Sequence, residues 1–115
     1  MDTFKEFELI PQLLRGIESL GFSKPFSIQE KTIQPLLDGQ DLIGQAKTGS
    51  GKTAAYGLPL LQSIDRNIRD VQALVLAPTR ELAVQITDSL KQLGKYTGLR
   101  AVSIYGGQSI NVQFE

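Results

Sequence analysis

The chain has 115 residues, 41% of them hydrophobic and 21% charged, which suits one ordinary globular domain and excludes a fibrous or disordered one. It contains no cysteine and no histidine, which excludes a disulfide framework, a thiolate or imidazole metal site and a histidine general base. Twelve basic residues balance twelve acidic ones, so any contact with nucleic acid must rest on placed donors and helix ends rather than on a broad positive field.

In chain order, the opening MDTFKEFE is acidic and has no secretory-leader pattern. No apolar run reaches the roughly 18 residues of a membrane span, so no membrane contact is expected and the expected location is cytoplasmic. Ile10, Leu13, Leu14, Ile17 and Leu20 recur at helical spacing, with Pro11 suited to a first turn and Gly21 to an end, which predicts an amphipathic helix from Pro11 to Leu20. Ser27 and Glu30 have the spacing of a capping box and predict a second helix. Ile28, Thr32, Ile33, Leu36 and Leu37 form its buried stripe, and Pro35 should kink or restart it. Phe22 reads as packing at the corner between these helices.

Asp41 to Ala46 is short and apolar enough for a buried strand. Lys52 to Ile64 reads as a helix with an internal Pro59. Ala73 to Ala77, apolar on both faces, is the clearest strand, and Leu99 to Tyr105 is a third. A long helix lies between these two, with Leu82, Ile86, Leu90 and Leu93 as its stripe and Gly94 as its stop. Strands alternating with helices predict an α/β fold, a parallel sheet flanked by helices, with ligands beyond the carboxyl ends of the strands. The segments after Ala46 and after Ala77 occupy such places.

The first of these reads Gln45-Ala46-Lys47-Thr48-Gly49-Ser50-Gly51-Lys52-Thr53. Gly49 and Gly51 permit close approach of backbone N–H groups to an anion, and the following helix aims its positive end there. Lys52 can neutralise outer phosphates, and the Thr53 hydroxyl can serve Mg²⁺ directly or through water. A solvated Gly/Ser/Thr turn would also fit these letters, but the strand before and the helix after favour a phosphate loop. Ala46 stands where the general pattern has glycine, and the loop alone does not name an enzyme class.

A second constellation does. Gly21-Phe22-Ser23-Lys24-Pro25-Phe26-Ser27-Ile28-Gln29 is GFxxPxxIQ, and Phe4 lies 17 residues before Gly21. With AKTGSGKT, Pro78-Thr79-Arg80-Glu81-Leu82-Ala83 and Gly106-Gly107 in that order, the chain closely resembles the DEAD-box family of ATP-dependent RNA helicases from Phe4 to about Gln113. GFxxPxxIQ is similar to the family's Q motif, and Ala46 becomes the family's own choice at the loop. One departure is Phe26, where the family usually carries Thr or Ser.

The resemblance implies part of a RecA-like ATP-binding domain. Residues 1–37 would form a helical segment with the Q motif, and residues 38–115 the first part of the domain, ending before the Asp-Glu-Ala-Asp stretch. It implies ATP and Mg²⁺ as cofactors, with Phe4 stacking on the base, the Lys24 backbone framing it and Gln29 reading the adenine edge. Ala46, Lys47, Thr48, Gly49, Ser50, Gly51, Lys52 and Thr53 would hold the phosphates and metal, with Lys52 and Thr53 closest to the chemistry. It also implies RNA held by its sugar–phosphate backbone at Pro78, Thr79, Arg80, Gly106 and Gly107. The rest of the first domain and a second RecA-like domain with its arginine finger would be partners. The 115 residues alone are then expected not to hydrolyse ATP at a helicase rate, and open strand edges are expected to favour self-association. Two other classes stay open on the residues alone. A different phosphate-loop enzyme, such as a small-molecule kinase, would bind ATP and GTP alike. A non-catalytic binding fragment would bind RNA without regard to nucleotide.

Overall fold

The computed structural model describes residues 3–46 and 51–104 of the chain. A short 3-10 turn at Phe4–Glu6 comes first, capped by the Thr3 hydroxyl, which accepts from the Lys5 backbone N–H at 3.2 Å. It turns both Phe4 and Phe7 into the core, their ring centroids 6.1 Å apart.

Helix α1 spans Pro11–Ser19, with proline in its first turn where no backbone donor is needed. Its inner face, Leu13, Gly16 and Ile17, is buried. Gly16 sits at the crossing with the helix that ends at Leu93, where a Cβ would run into the Leu93 carbonyl. Arg15, on the outer face, lays its guanidinium 4.3 Å from the centre of the Tyr96 ring.

Helix α2 spans Ser27–Leu37 and starts one residue earlier than the expected Ser27–Glu30 box. Phe26 is its N-cap, and the side chain closing the cap is Gln29, whose Oε1 accepts from the Phe26 N–H at 2.9 Å. Pro35 does not restart this helix: Asp38 N still reaches the Gln34 carbonyl at 2.9 Å. Helix α3, Lys52–Ser63, passes through a buried Pro59 in the same way. Helix α4 spans Arg80–Leu93, capped by the Thr79 hydroxyl, which accepts from Leu82 N at 3.1 Å, and it ends at Gly94.

The core forms where α2 packs on α3, α3 on α4 and α1 on α4. Leu13, Ile17, Ile33 and Leu58, from α1, α2 and α3, are its most deeply buried apolar side chains. Of the expected α4 stripe, Ile86, Leu90 and Leu93 are buried, while Leu82 and, near α1, Phe22 stay partly exposed.

The expected parallel sheet is not formed among the described residues, and none of the segments 41–46, 73–77 and 99–104 is a paired strand. A parallel strand takes its hydrogen bonds from neighbours distant in sequence, and these segments do not supply them to one another. The period of two survives nonetheless. Val75, Ala77, Leu99 and Ala101 pack against the helical core. Leu74 and Leu76 are 78% and 84% exposed, and Val102 and Ile104 are 59% and 63% exposed. One face of this layer is therefore covered by helices, where the apolar sequence had implied two.

Candidate nucleotide site

Gly51 holds the centre of the site. Its φ of +84° is a left-handed conformation that a side chain disfavours, and it turns the chain directly into α3. A Cβ here would also strike the Gln29 amide and the ring of Phe26, whose Cδ2 would lie 2.7 Å away. The glycine that the phosphate-loop pattern places here is thus required by the turn and by the side chains packed on it. Lys47 to Ser50, the middle of the loop, lie outside the described residues.

Lys52 and Thr53 form the first turn of α3, where unpaired backbone donors and the helix dipole favour an anion. Lys52 is exposed and Thr53 partly so. Both line a groove of about 540 Å³ walled on its far side by Leu74, Leu76 and α4. The Thr53 hydroxyl is hydrogen-bonded to Tyr56 one turn on; burial pushes the Tyr56 phenol above its ordinary value, and the bond to Thr53 partly offsets this.

Gln29 is 1% exposed. Its Oε1 holds the Phe26 N–H, and its Nε2 donates to the Gly51 carbonyl at 3.1 Å. The carboxamide therefore joins the GFxxPxxIQ turn to Gly51 at the entry to α3. One N–H and one lone pair remain to it. Pro25, beside it, is buried and Lys24 is exposed. Phe4 does not present its ring to this cluster: it is 4% exposed and faces Phe7 in the core.

A residue that sequence reasoning missed is Gln62, in the last turn of α3. Its Oε1 accepts from Ile10 N at 2.8 Å, and its Nε2 donates to the Glu8 carbonyl at 2.6 Å. This bidentate grip holds the chain between the Phe4–Phe7 turn and α1. A glutamine on a helix is too ordinary to signal such a role.

Pro78, Thr79 and Arg80 form a separate exposed corner at the start of α4. Thr79 is its N-cap, and Glu81 lies in the first turn. Gly106 and Gly107, expected to act with this corner, lie outside the described residues. Among the described residues no group of three acidic side chains could hold a metal ion, and no helix is long and apolar enough to cross a membrane.

Residues 26–115 match the DEAD/DEAH box helicase family model. The DEAD-box ATP-dependent RNA helicase CshA of Bacillus cereus is 51% identical over 113 residues, 98% of this chain and 22% of that protein. The structure of the RNA helicase Prp28 from Chaetomium thermophilum, bound to ADP, superposes with a TM-score of 0.88 at 43% identity, covering 99% of this chain and 29% of that one. S. cerevisiae Dbp5 bound to RNA and ADP BeF3 superposes at 0.75 with 33% identity, covering 96% and 30%. The chain thus spans about a fifth of the curated relative's length and under a third of the solved chains. The GFxxPxxIQ turn seated on Gly51 and the match over residues 26–115 agree: the chain belongs to the DEAD/DEAH box helicase family.

Proposed function

We propose that this chain is the ATP-binding part of an ATP-dependent RNA helicase that unwinds or remodels RNA duplexes. The observation that carries the reading is the hydrogen bond from Gln29 to Gly51, which couples the turn proposed to read adenine to the loop proposed to hold phosphate. A carboxamide offers donor and acceptor together, so its remaining N–H and lone pair match the amino group and ring nitrogen of adenine. The Lys24 backbone would frame the base. The related Prp28 structure is bound to ADP, which supports an adenine nucleotide as the ligand.

The residues present fit Mg²⁺ in part. Thr53 offers one hydroxyl oxygen that would hold the ion, directly or through water. When bound, the ion would neutralise charge on the phosphates. This chain's own part is to set Lys52 against the outer phosphates, to aim the α3 backbone donors at them, and to hold the Thr53 hydroxyl in place through Tyr56. RNA would be met by the Pro78-Thr79-Arg80 corner through backbone phosphates, giving binding that ignores sequence and weakens with salt. The related Dbp5 structure is bound to RNA, which supports RNA as a partner.

Phosphoryl transfer depends on positioning by many groups at once, and the 115 residues are proposed to bind ATP without turning it over at a helicase rate. Lys52→Ala should abolish ATP binding, measured by titration calorimetry. An unchanged affinity would refute the assignment. Release of phosphate by the 115 residues with RNA, at the rate of a complete helicase, would refute the inactivity.

A further inference from the structure

Phe26 is costly where it stands. An N-cap position favours Ser, Thr, Asp or Asn, whose oxygen takes a backbone donor of the first turn, and a phenyl ring cannot do this. The ring is moreover half exposed, at 50%. Single exposed aromatics are common on protein surfaces, but this one is not isolated. One ring edge packs on Gly51, immediately before Lys52, and its backbone N–H is held by the Gln29 carboxamide. The ring therefore stands beside both groups that the proposed function assigns to the nucleotide. Phe4, the aromatic that the resemblance assigns to the base, turns inward at 4% exposure.

We propose that the ring of Phe26, half exposed and lying against Gly51, is a surface on which the nucleotide's base stacks. This rests on the reading of the phosphate loop and deepens it. Every base has a π-face, so stacking on Phe26 contributes affinity without choosing among bases, and the choice falls to the Gln29 carboxamide. Phe26 and Gln29 then divide the recognition: one ring for grip, one amide for identity.

The test uses the full chain and three probes: ATP, GTP and inorganic tripolyphosphate, which lacks a base. Phe26→Leu should weaken ATP and GTP by a similar factor, about tenfold, and leave tripolyphosphate unchanged. Phe26→Tyr should retain wild-type affinity for all three. Phe26→Thr should separate binding from folding: it restores a capping oxygen, so the melting temperature should rise while ATP affinity falls. Unchanged ATP affinity in Phe26→Leu overturns the proposal, as does a parallel loss of tripolyphosphate, which would mark a structural role. Lys52→Ala is the control for the underlying reading and should lose tripolyphosphate as well as ATP. If it loses neither, the phosphate-loop assignment fails and this inference falls with it. If Lys52→Ala loses both and Phe26→Leu loses nothing, only the stacking role is refuted.

Discussion

Gln29 Nε2 lies 3.1 Å from the carbonyl oxygen of Gly51, across 22 residues of sequence, while Gln29 Oε1 holds the N–H of Phe26. One side chain thus closes the first turn of α2 and pins the entry to α3. Burial makes both bonds consequential, since a polar atom left unpaired in a dry site carries the full cost of its lost hydration. The two helices also pack on each other, so a movement of the chain at Gly51 is felt at the α2 cap and the reverse.

Gln29→Ala should therefore destabilise the fold by about 2–4 kcal/mol, combining the void left by the side chain with the Phe26 N–H stripped of its partner, while the Gly51 carbonyl keeps its bond from Ala55 N–H. Urea denaturation measures this. Gln29→Glu keeps the shape and the bond to Phe26 N–H, but its carboxylate has no donor for Gly51. It should weaken ATP at least as much as it weakens stability, and it should lower the preference for ATP over GTP. A Gln29→Glu chain with wild-type stability and wild-type base preference would show that the bond to Gly51 is incidental.

Gly51→Ala tests the same junction from the other side. The φ of +84° and the contacts with Gln29 and Phe26 both oppose a Cβ. A loss of about 2–4 kcal/mol is expected, with ATP affinity reduced, because relief would require either the turn or the Gln29 bond to give way. A neutral Gly51→Ala in thermal denaturation would show that the turn has room the structure does not reveal.

The helices were legible because their signals are local. Pro11 and Gly21 bracket α1, Gly94 stops α4, and the apolar spacing of each helix needs no distant partner. The α2 start moved by one residue because two glutamyl-type side chains, Gln29 and Glu30, compete to close the cap, and packing on Gly51 selects Gln29. The strands at 41–46, 73–77 and 99–104 were legible as apolar segments but not as a sheet, since a parallel ladder is a property of several segments together. Of the candidate site, Gly51, Lys52 and Thr53 were named from spacing, and the structure sets them at the entry to α3. The burial of Phe4, the Gln62 grip and the Thr53–Tyr56 bond did not, because each depends on which surfaces meet in three dimensions.

The uncovered faces of 73–77 and 99–104 carry their own prediction. Leu74, Leu76, Val102 and Ile104 together expose an apolar surface beside unpaired backbone, which favours self-association of the 115 residues. Sedimentation velocity should show a mass that rises with concentration, and Leu76→Lys should reduce it. A monomer at every concentration would count against the idea.

Gln62 should act on the opposite end of α3 from Lys52. Its two hydrogen bonds to Glu8 and Ile10 are partly solvated, so Gln62→Leu should cost only about 1–2 kcal/mol. The loss should be local: the segment before α1 should become the first point of cleavage in limited proteolysis, with the cut falling between Phe7 and Pro11. Gln62→Glu should do the same, since it retains the acceptor for Ile10 but sets a carboxylate against the Glu8 carbonyl. Unaltered cleavage in both variants would show that burial of Phe4 and Phe7 holds this segment without the grip.

Tyr56 should give the fold an alkaline limit. Its phenol is raised above 10.0 because burial disfavours the phenolate, while the Thr53 hydrogen bond opposes that shift in part. Below 10.0 the phenol is neutral in both folded and unfolded chains, and its contribution does not vary. As pH rises past the unfolded value, the unfolded chain releases this proton first, so stability falls between that value and the higher folded one. Tyr56→Phe removes this component. Urea midpoints of the two chains, followed from about pH 8 to about pH 11, should therefore converge or cross as pH rises, with wild type falling more steeply. Parallel curves would show that the phenolate is as well solvated in the folded chain as in the unfolded one, and that the Thr53 hydroxyl is not held by a buried partner.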